Sequence, residues 1–117
     1  MNVTGAAEKI GATVVVGTAE ASTREIRGGD ASDFLSDVMG DSREGDIWVT
    51  MEKYVNIVAV PQLNGLAGIV LVNGRQPEPE TAKKAEQEHA PIISTPLQCF
   101  DMVEILYGPG IGGRRPL

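Results

Sequence analysis

The sequence predicts a three-layer α/β/α domain with a mainly parallel central sheet, and two observations carry that expectation. From Asp46 onward strand-like and helix-like segments alternate, and the strand-like ones are apolar throughout instead of alternating apolar with polar residues. A strand apolar on both faces must be covered on both. That is the condition of a parallel sheet whose strands are joined by right-handed helical crossovers. With 117 residues, the chain has the size of one domain and can bury a core without disulfides or a structural metal.

The elements follow in order. Ala6, Ala7 and Ile10 fall at helical spacing between a candidate cap, Thr4, and a candidate stop, Gly11. The β-branched run Thr13-Val14-Val15-Val16 predicts a strand. Ala19 to Thr23 predicts a loop, and Glu25-Ile26-Arg27 a second short strand before the flexible pair Gly28-Gly29. From Ser32, Phe34, Leu35, Val38 and Met39 share one helical face, and Asp33, Ser36 and Asp37 the other. Asp46 to Met51 predicts a strand. A helix is expected through Val55, Ile57, Val58 and Val60, with a kink or restart at Pro61. Gly68 to Val72 is a strand, Asn73-Gly74 a turn, Pro77 to Glu88 a polar helix and Pro91 to Ser94 a strand. The last helix spans Pro96 to Tyr107 and is expected to bury Leu97, Phe100, Val103 and Leu106. Residues 1–107 thus form the domain, and the Gly- and Pro-rich tail 108–117 is expected to be mobile.

Composition narrows the function. The net charge of −6 repels phosphate backbones and anionic lipid, which argues against nucleic acid and membrane partners. A single cysteine, Cys99, allows no intramolecular disulfide and no cysteine-based zinc site. No secretory signal or apolar span is legible, so a cytoplasmic location is predicted.

Ligands of parallel sheets lie beyond the carboxyl ends of the strands. Here that edge collects Thr50, then Asn73, Gly74 and Arg75, then Ser94 and Thr95. Thr95 also reads as an N-cap, with Pro96 at the first helical position and Gln98 completing a capping box. Asn73-Gly74-Arg75 could form an anion nest, but the next helix opens with Glu78 and Glu80, whose carboxylates already meet its positive end. Neither phosphate-loop spacing is present. Asp30, Asp33, Asp37 and Asp41 are the densest carboxylate group, and Asp33 and Asp37 are expected one turn apart on an exposed helix face. Mg²⁺ there would need substrate phosphates as further ligands. His89, near the end of a polar helix, is expected to meet its last carbonyls. Cys99 sits in the first turn of the last helix and is expected to be buried. No catalytic set, metal site or cofactor emerges. Trp48, Tyr54 and Val58 belong to an apolar stretch running to Leu66 that exceeds the needs of a small core, which predicts a two-fold interface.

The run Val70-Leu71-Val72-Asn73-Gly74, the segment Glu78 to Ala90 and Pro91-Ile92-Ile93-Ser94-Thr95-Pro96 together resemble the core of DRTGG domains. Thr23 to Gly29 is similar to their signature region, although Arg24 is separated from Gly28-Gly29, and Ser32 to Met39 is similar to the segment that follows. The resemblance implies a fold like the N-terminal domain of HPr kinase. It also implies a non-catalytic, dimerising regulatory role like that of such domains beside CBS domains in regulated pyrophosphatases and in some phosphotransacetylases. Stand-alone versions beside iron-only hydrogenase genes imply an accessory link to those systems. The expected function is therefore a homodimeric regulatory or interaction module that partners a metabolic enzyme. The alternatives are a sensor of a small metabolite or adenine nucleotide at the strand ends, and a Mg-dependent hydrolase using Asp33 and Asp37.

Overall fold

A computed structural model describes residues 1–113. Its elements are α1 (Val3–Lys9), β1 (Thr13–Val16), α2 (Thr18–Ala21), β2 (Gly28–Ala31), α3 (Leu35–Asp41) and β3 (Asp46–Thr50). A 3₁₀ helix (Val55–Val58), α4 (Ala59–Asn64), β4 (Gly68–Leu71), α5 (Pro79–Gln87), β5 (Ile92–Ser94) and α6 (Cys99–Tyr107) complete them. The five strands form one sheet in the order β1-β5-β4-β3-β2. β2 to β5 run parallel and β1 lies antiparallel on β5, which meets the expectation of a mainly parallel sheet.

The continuously apolar strands are covered on both faces. Ile47, Val49, Val70, Val72 and Ile93 point to a cluster with Val3, Ala6, Ala7 and Ile10 of the α1 region and Met102 and Leu106 of α6. Their sequence neighbours Trp48, Ile69, Leu71 and Ile92 point to the other face, where Val38 of α3, Val58, Val60 of α4 and Ala85 of α5 close it. The two-residue period of a strand sends successive side chains to opposite layers, so an unbroken apolar run serves two cores at once. The connections from β2 through β5 all pack on one layer, and α6 crosses to the other.

Several local expectations are corrected. The cap of α1 is Asn2, whose Oδ1 accepts from the Gly5 amide at 2.7 Å, and not Thr4. The second strand is Gly28–Ala31, paired in register with β3, while Glu25 makes only an isolated bridge to Asn2. The expected loop after β1 contains α2. Of the four apolar residues assigned to one face at α3, only Val38 is fully buried and Phe34 is 66% exposed. The expected kink or restart near Pro61 takes the form of a change from the 3₁₀ helix to α4 at Ala59, which places Pro61 in the first turn of α4. In α6 the buried residues are Met102 and Leu106, with Cys99 beside the core, while Phe100 (86% exposed), Val103 and Tyr107 face outward. Ile111 packs against the first cluster, and its amide donates to the Leu106 carbonyl at 3.1 Å. The rest of the expected tail, Arg114 to Leu117, lies outside the described residues.

Trp48 and Val58, expected at an interface, are buried within the monomer, and so are Ile57, Val60 and Leu66. The layer of three crossover elements absorbs apolar area that one small layer could not. Of the large apolar residues in that stretch, Met51, Tyr54, Val55 and Leu63 remain exposed.

Candidate functional site

Connections leave β2, β3 and β4 toward one layer while α6 starts on the other, and a cavity of about 350 Å³ opens between them at the carboxyl edge of the sheet. The loop after β2 contributes Ser32 and Asp33, the end of β3 Thr50 and Met51, the turn after β4 Asn73, and the start of α6 Gln98, Cys99 and Phe100. Ala31, Val49 and Val72 supply the apolar part of the lining.

Ser32, Asp33, Thr50 and Asn73 are placed by bonds that ordinary turn chemistry explains. Ser32 Oγ accepts from the Phe34 amide at 3.0 Å, and the Ser32 carbonyl accepts from Trp48 Nε1 at 2.8 Å. The buried indole therefore anchors the loop that carries Asp33. Asp33 Oδ1 accepts from both the Thr50 hydroxyl, at 2.8 Å, and the Met51 amide, at 2.7 Å. Asn73 has φ 58° and Gly74 φ 69°, a left-handed pair of the kind that suits Asn-Gly. The Asn73 amide donates to the Leu97 carbonyl and the Gly74 amide to the Thr95 carbonyl, which ties the turn to the α6 approach.

The residues expected at this edge separate into two groups. Thr50 and Asn73 line the cavity. Gly74, Arg75, Ser94 and Thr95 do not line it, because β5 ends one strand further along the sheet and its groups are spent in structural bonds. Ser94 Oγ donates to the Arg75 carbonyl at 2.6 Å and accepts from Gln76 Nε2 at 3.1 Å. Thr95 is buried, its hydroxyl donating to the Ile10 carbonyl at 2.7 Å and accepting from the Leu97 amide at 3.2 Å. It is therefore a tie between layers and not the cap of α6, which begins later, behind Gln98. Asp33 was expected in a carboxylate cluster on a helix face and Gln98 in a capping box, and neither they nor Phe100 were expected at this edge, since the sheet order and the late start of α6 are both needed to bring them here.

The carboxylate cluster does not assemble as expected. Asp33 precedes α3 and is bonded to Thr50 and Met51 instead of standing one turn from Asp37 on a helix face. Among the described residues no group of three His, Cys, Asp or Glu side chains could hold a metal ion. His89 adopts φ 57° and places Nδ1 3.2 Å from Glu20 Oε2, a link to α2 instead of the expected contact with its own helix end.

Cys99 is partly buried, and its thiol is pushed above the ordinary cysteine range, first by burial and then by the nearby Asp33 charge. The neutral thiol is the form the fold favours. Its contribution to stability is complete below the unfolded-state value and is lost as pH rises through the folded value. At neutral pH, iodoacetamide should alkylate Cys99 more slowly in the folded chain than in the urea-unfolded chain, and the folded rate should climb steeply as pH becomes alkaline. Equal rates at neutral pH would contradict this environment.

No helix of the described residues is long and apolar enough to cross a membrane. No family model and no curated protein matches the chain. A solved structure does match: the CBS and DRTGG domains of the regulatory region of Clostridium perfringens pyrophosphatase, complexed with the activator diadenosine tetraphosphate. The TM-score is 0.74 at 15% identity, over 90% of this chain and 45% of that one. The chain thus spans less than half the length of the solved protein. At this identity the likeness is one of fold alone, an α/β domain with a mainly parallel sheet.

Proposed function

We propose that the chain is a DRTGG-type regulatory or interaction module that acts as a homodimer and serves a metabolic enzyme. The observation that carries this reading is the outer face of α6. Val103 and Tyr107 stand one turn apart on that face, and both are exposed, at 42% and 59%. A pair of large apolar side chains kept in water is an interface signature, and the commonest closed solution is two-fold self-association. This replaces the expected patch, since Trp48 and Val58 are spent in the core. The fold shared with a pyrophosphatase regulatory region supports a regulatory role in kind. The resemblance to stand-alone domains beside iron-only hydrogenase genes makes such an enzyme the first partner to try.

Sedimentation equilibrium at micromolar concentration tests the dimer. Twice 12.4 kDa is expected for the native chain and 12.4 kDa for Val103→Asp with Tyr107→Asp. A native mass of 12.4 kDa throughout overturns it.

A second reading, a sensor of a small metabolite or adenine nucleotide, is favoured by the strand-end cavity. Its volume of about 350 Å³ lies within the range of small-molecule sites. Saturable thermal stabilisation by a metabolite at millimolar concentration is its expected signature, and a flat response across nucleotides and metabolites removes it.

A further inference from the structure

The cavity at the carboxyl edge has an uneven chemistry. Among the described residues Asp33 is the one charged residue in its lining. Asp33 Oδ1 is occupied by Thr50 and Met51, whereas Oδ2 makes no hydrogen bond among the described residues. The Gln98 side chain is likewise without one, and Asn73 Nδ2 donates only to the weak acceptor Met51 Sδ, at 3.1 Å, leaving its carbonyl oxygen unused. Solvent-facing acceptors with no protein partner therefore gather at one rim. Val49 and Val72 give an apolar wall, and Phe100 holds a ring that is 86% exposed beside it.

Two charges compete there. The first turn of α6 offers backbone amides worth about half a positive charge at a helix N-terminus. Against it stand the full negative charge of Asp33 and a second carboxylate, Asp101, within that first turn. A full charge outweighs half a charge at comparable range, and Asp33 lines the same cavity as Gln98 and Cys99 at the helix start. The net charge of −6 adds to the bias against anions.

We propose that the cavity takes a flat aromatic ligand carrying N–H donors, an amidine or an amino-heterocycle, and rejects anionic ligands of the same shape. Asp33 Oδ2 receives the donors, the carbonyl oxygens of Asn73 and Gln98 accept the remainder, and Phe100 covers one face of the ring. A charge-assisted bond to a carboxylate is the strongest polar contact available here, and burying the phenyl face adds apolar gain. The proposal rests on reading the cavity as a ligand site, and it assigns recognition to the base-like part of a ligand instead of to phosphate.

Benzamidine, adenine and benzoate separate these ideas in ¹H–¹⁵N correlation spectra of the full chain. Benzamidine and adenine should shift the amides of Asp33, Met51, Asn73 and Phe100 saturably, and benzoate should not. Asp33→Asn keeps an acceptor at Oδ1 for Thr50 and Met51 but puts a donor at the other position, so it should weaken benzamidine by about tenfold or more. Phe100→Ser, at a position already exposed, should weaken both aromatic probes without disturbing the fold. Benzoate binding as tightly as benzamidine overturns the proposal in favour of an anion site, and benzamidine affinity unchanged in Asp33→Asn also overturns it. In both cases the ligand-site reading stands. Silence of these amides toward all three probes overturns both.

Discussion

Trp48→Ala is expected to cost about 3–5 kcal/mol, the range for removing a large aromatic from a packed core. Trp48 is fully buried among Val58, Ile69 and their neighbours in the second cluster. Its Nε1 also donates to the Ser32 carbonyl at 2.8 Å. Truncation opens a cavity and leaves that carbonyl without its partner. Against a usual domain stability of about 5–15 kcal/mol, the loss consumes much of the total, and the urea midpoint should fall by about 2 M. Trp48→Phe keeps most of the volume and should cost about 1–2 kcal/mol, mainly the lost hydrogen bond. Because Ser32 adjoins Asp33, the phenylalanine variant should also broaden the amide signals of the loop lining the cavity. A midpoint shift below about 0.5 M for Trp48→Ala would contradict the packing described.

Gly17→Ala is the second large effect. Gly17 has φ +77°, and a Cβ there would stand 2.9 Å from Pro91 Cα and 3.2 Å from Pro91 N. The left-handed conformation alone costs a residue with a Cβ about 1–2 kcal/mol. The overlap is with backbone, which cannot swing aside, so overpacking adds about 1–3 kcal/mol. The sum, about 2–5 kcal/mol, falls where β1 leaves the sheet beside the start of β5, next to a register irregularity between Val14 and Val16. Gly74→Ala is the matched control. Gly74 has nearly the same φ, +69°, but nothing lies within 4 Å of its added Cβ, so only the conformational cost of about 1–2 kcal/mol remains. Urea denaturation of the pair should therefore show a clearly larger loss at Gly17. Equal losses would mean that the Gly17–Pro91 approach is looser than described.

The sequence by itself determined the layered class. Val70 and Leu71, or Ile92 and Ile93, are adjacent and apolar, and a strand can bury both only between two helical layers. It also determined the Asn73-Gly74 turn, because few residues other than Asn and Gly accept a left-handed backbone. Tertiary structure decided what local patterns left degenerate. In α6 almost every position other than Asp101 and Glu104 is apolar, so stripes one residue apart satisfy the same helical period, and only docking on the sheet selected Met102 and Leu106 over Phe100 and Val103. Gly28-Gly29-Asp30-Ala31 has no strand propensity and extends because β3 offers it a parallel ladder. Thr95 carries a capping-box pattern, yet its hydroxyl bonds Ile10, 85 residues away. The candidate site is of this second kind. Thr50 and Asn73 end strands that the sequence reveals, but Asp33, Gln98 and Phe100 join them only through strand order and the layer chosen by α6. Both arise from pairings between segments far apart in the chain, which no local pattern encodes.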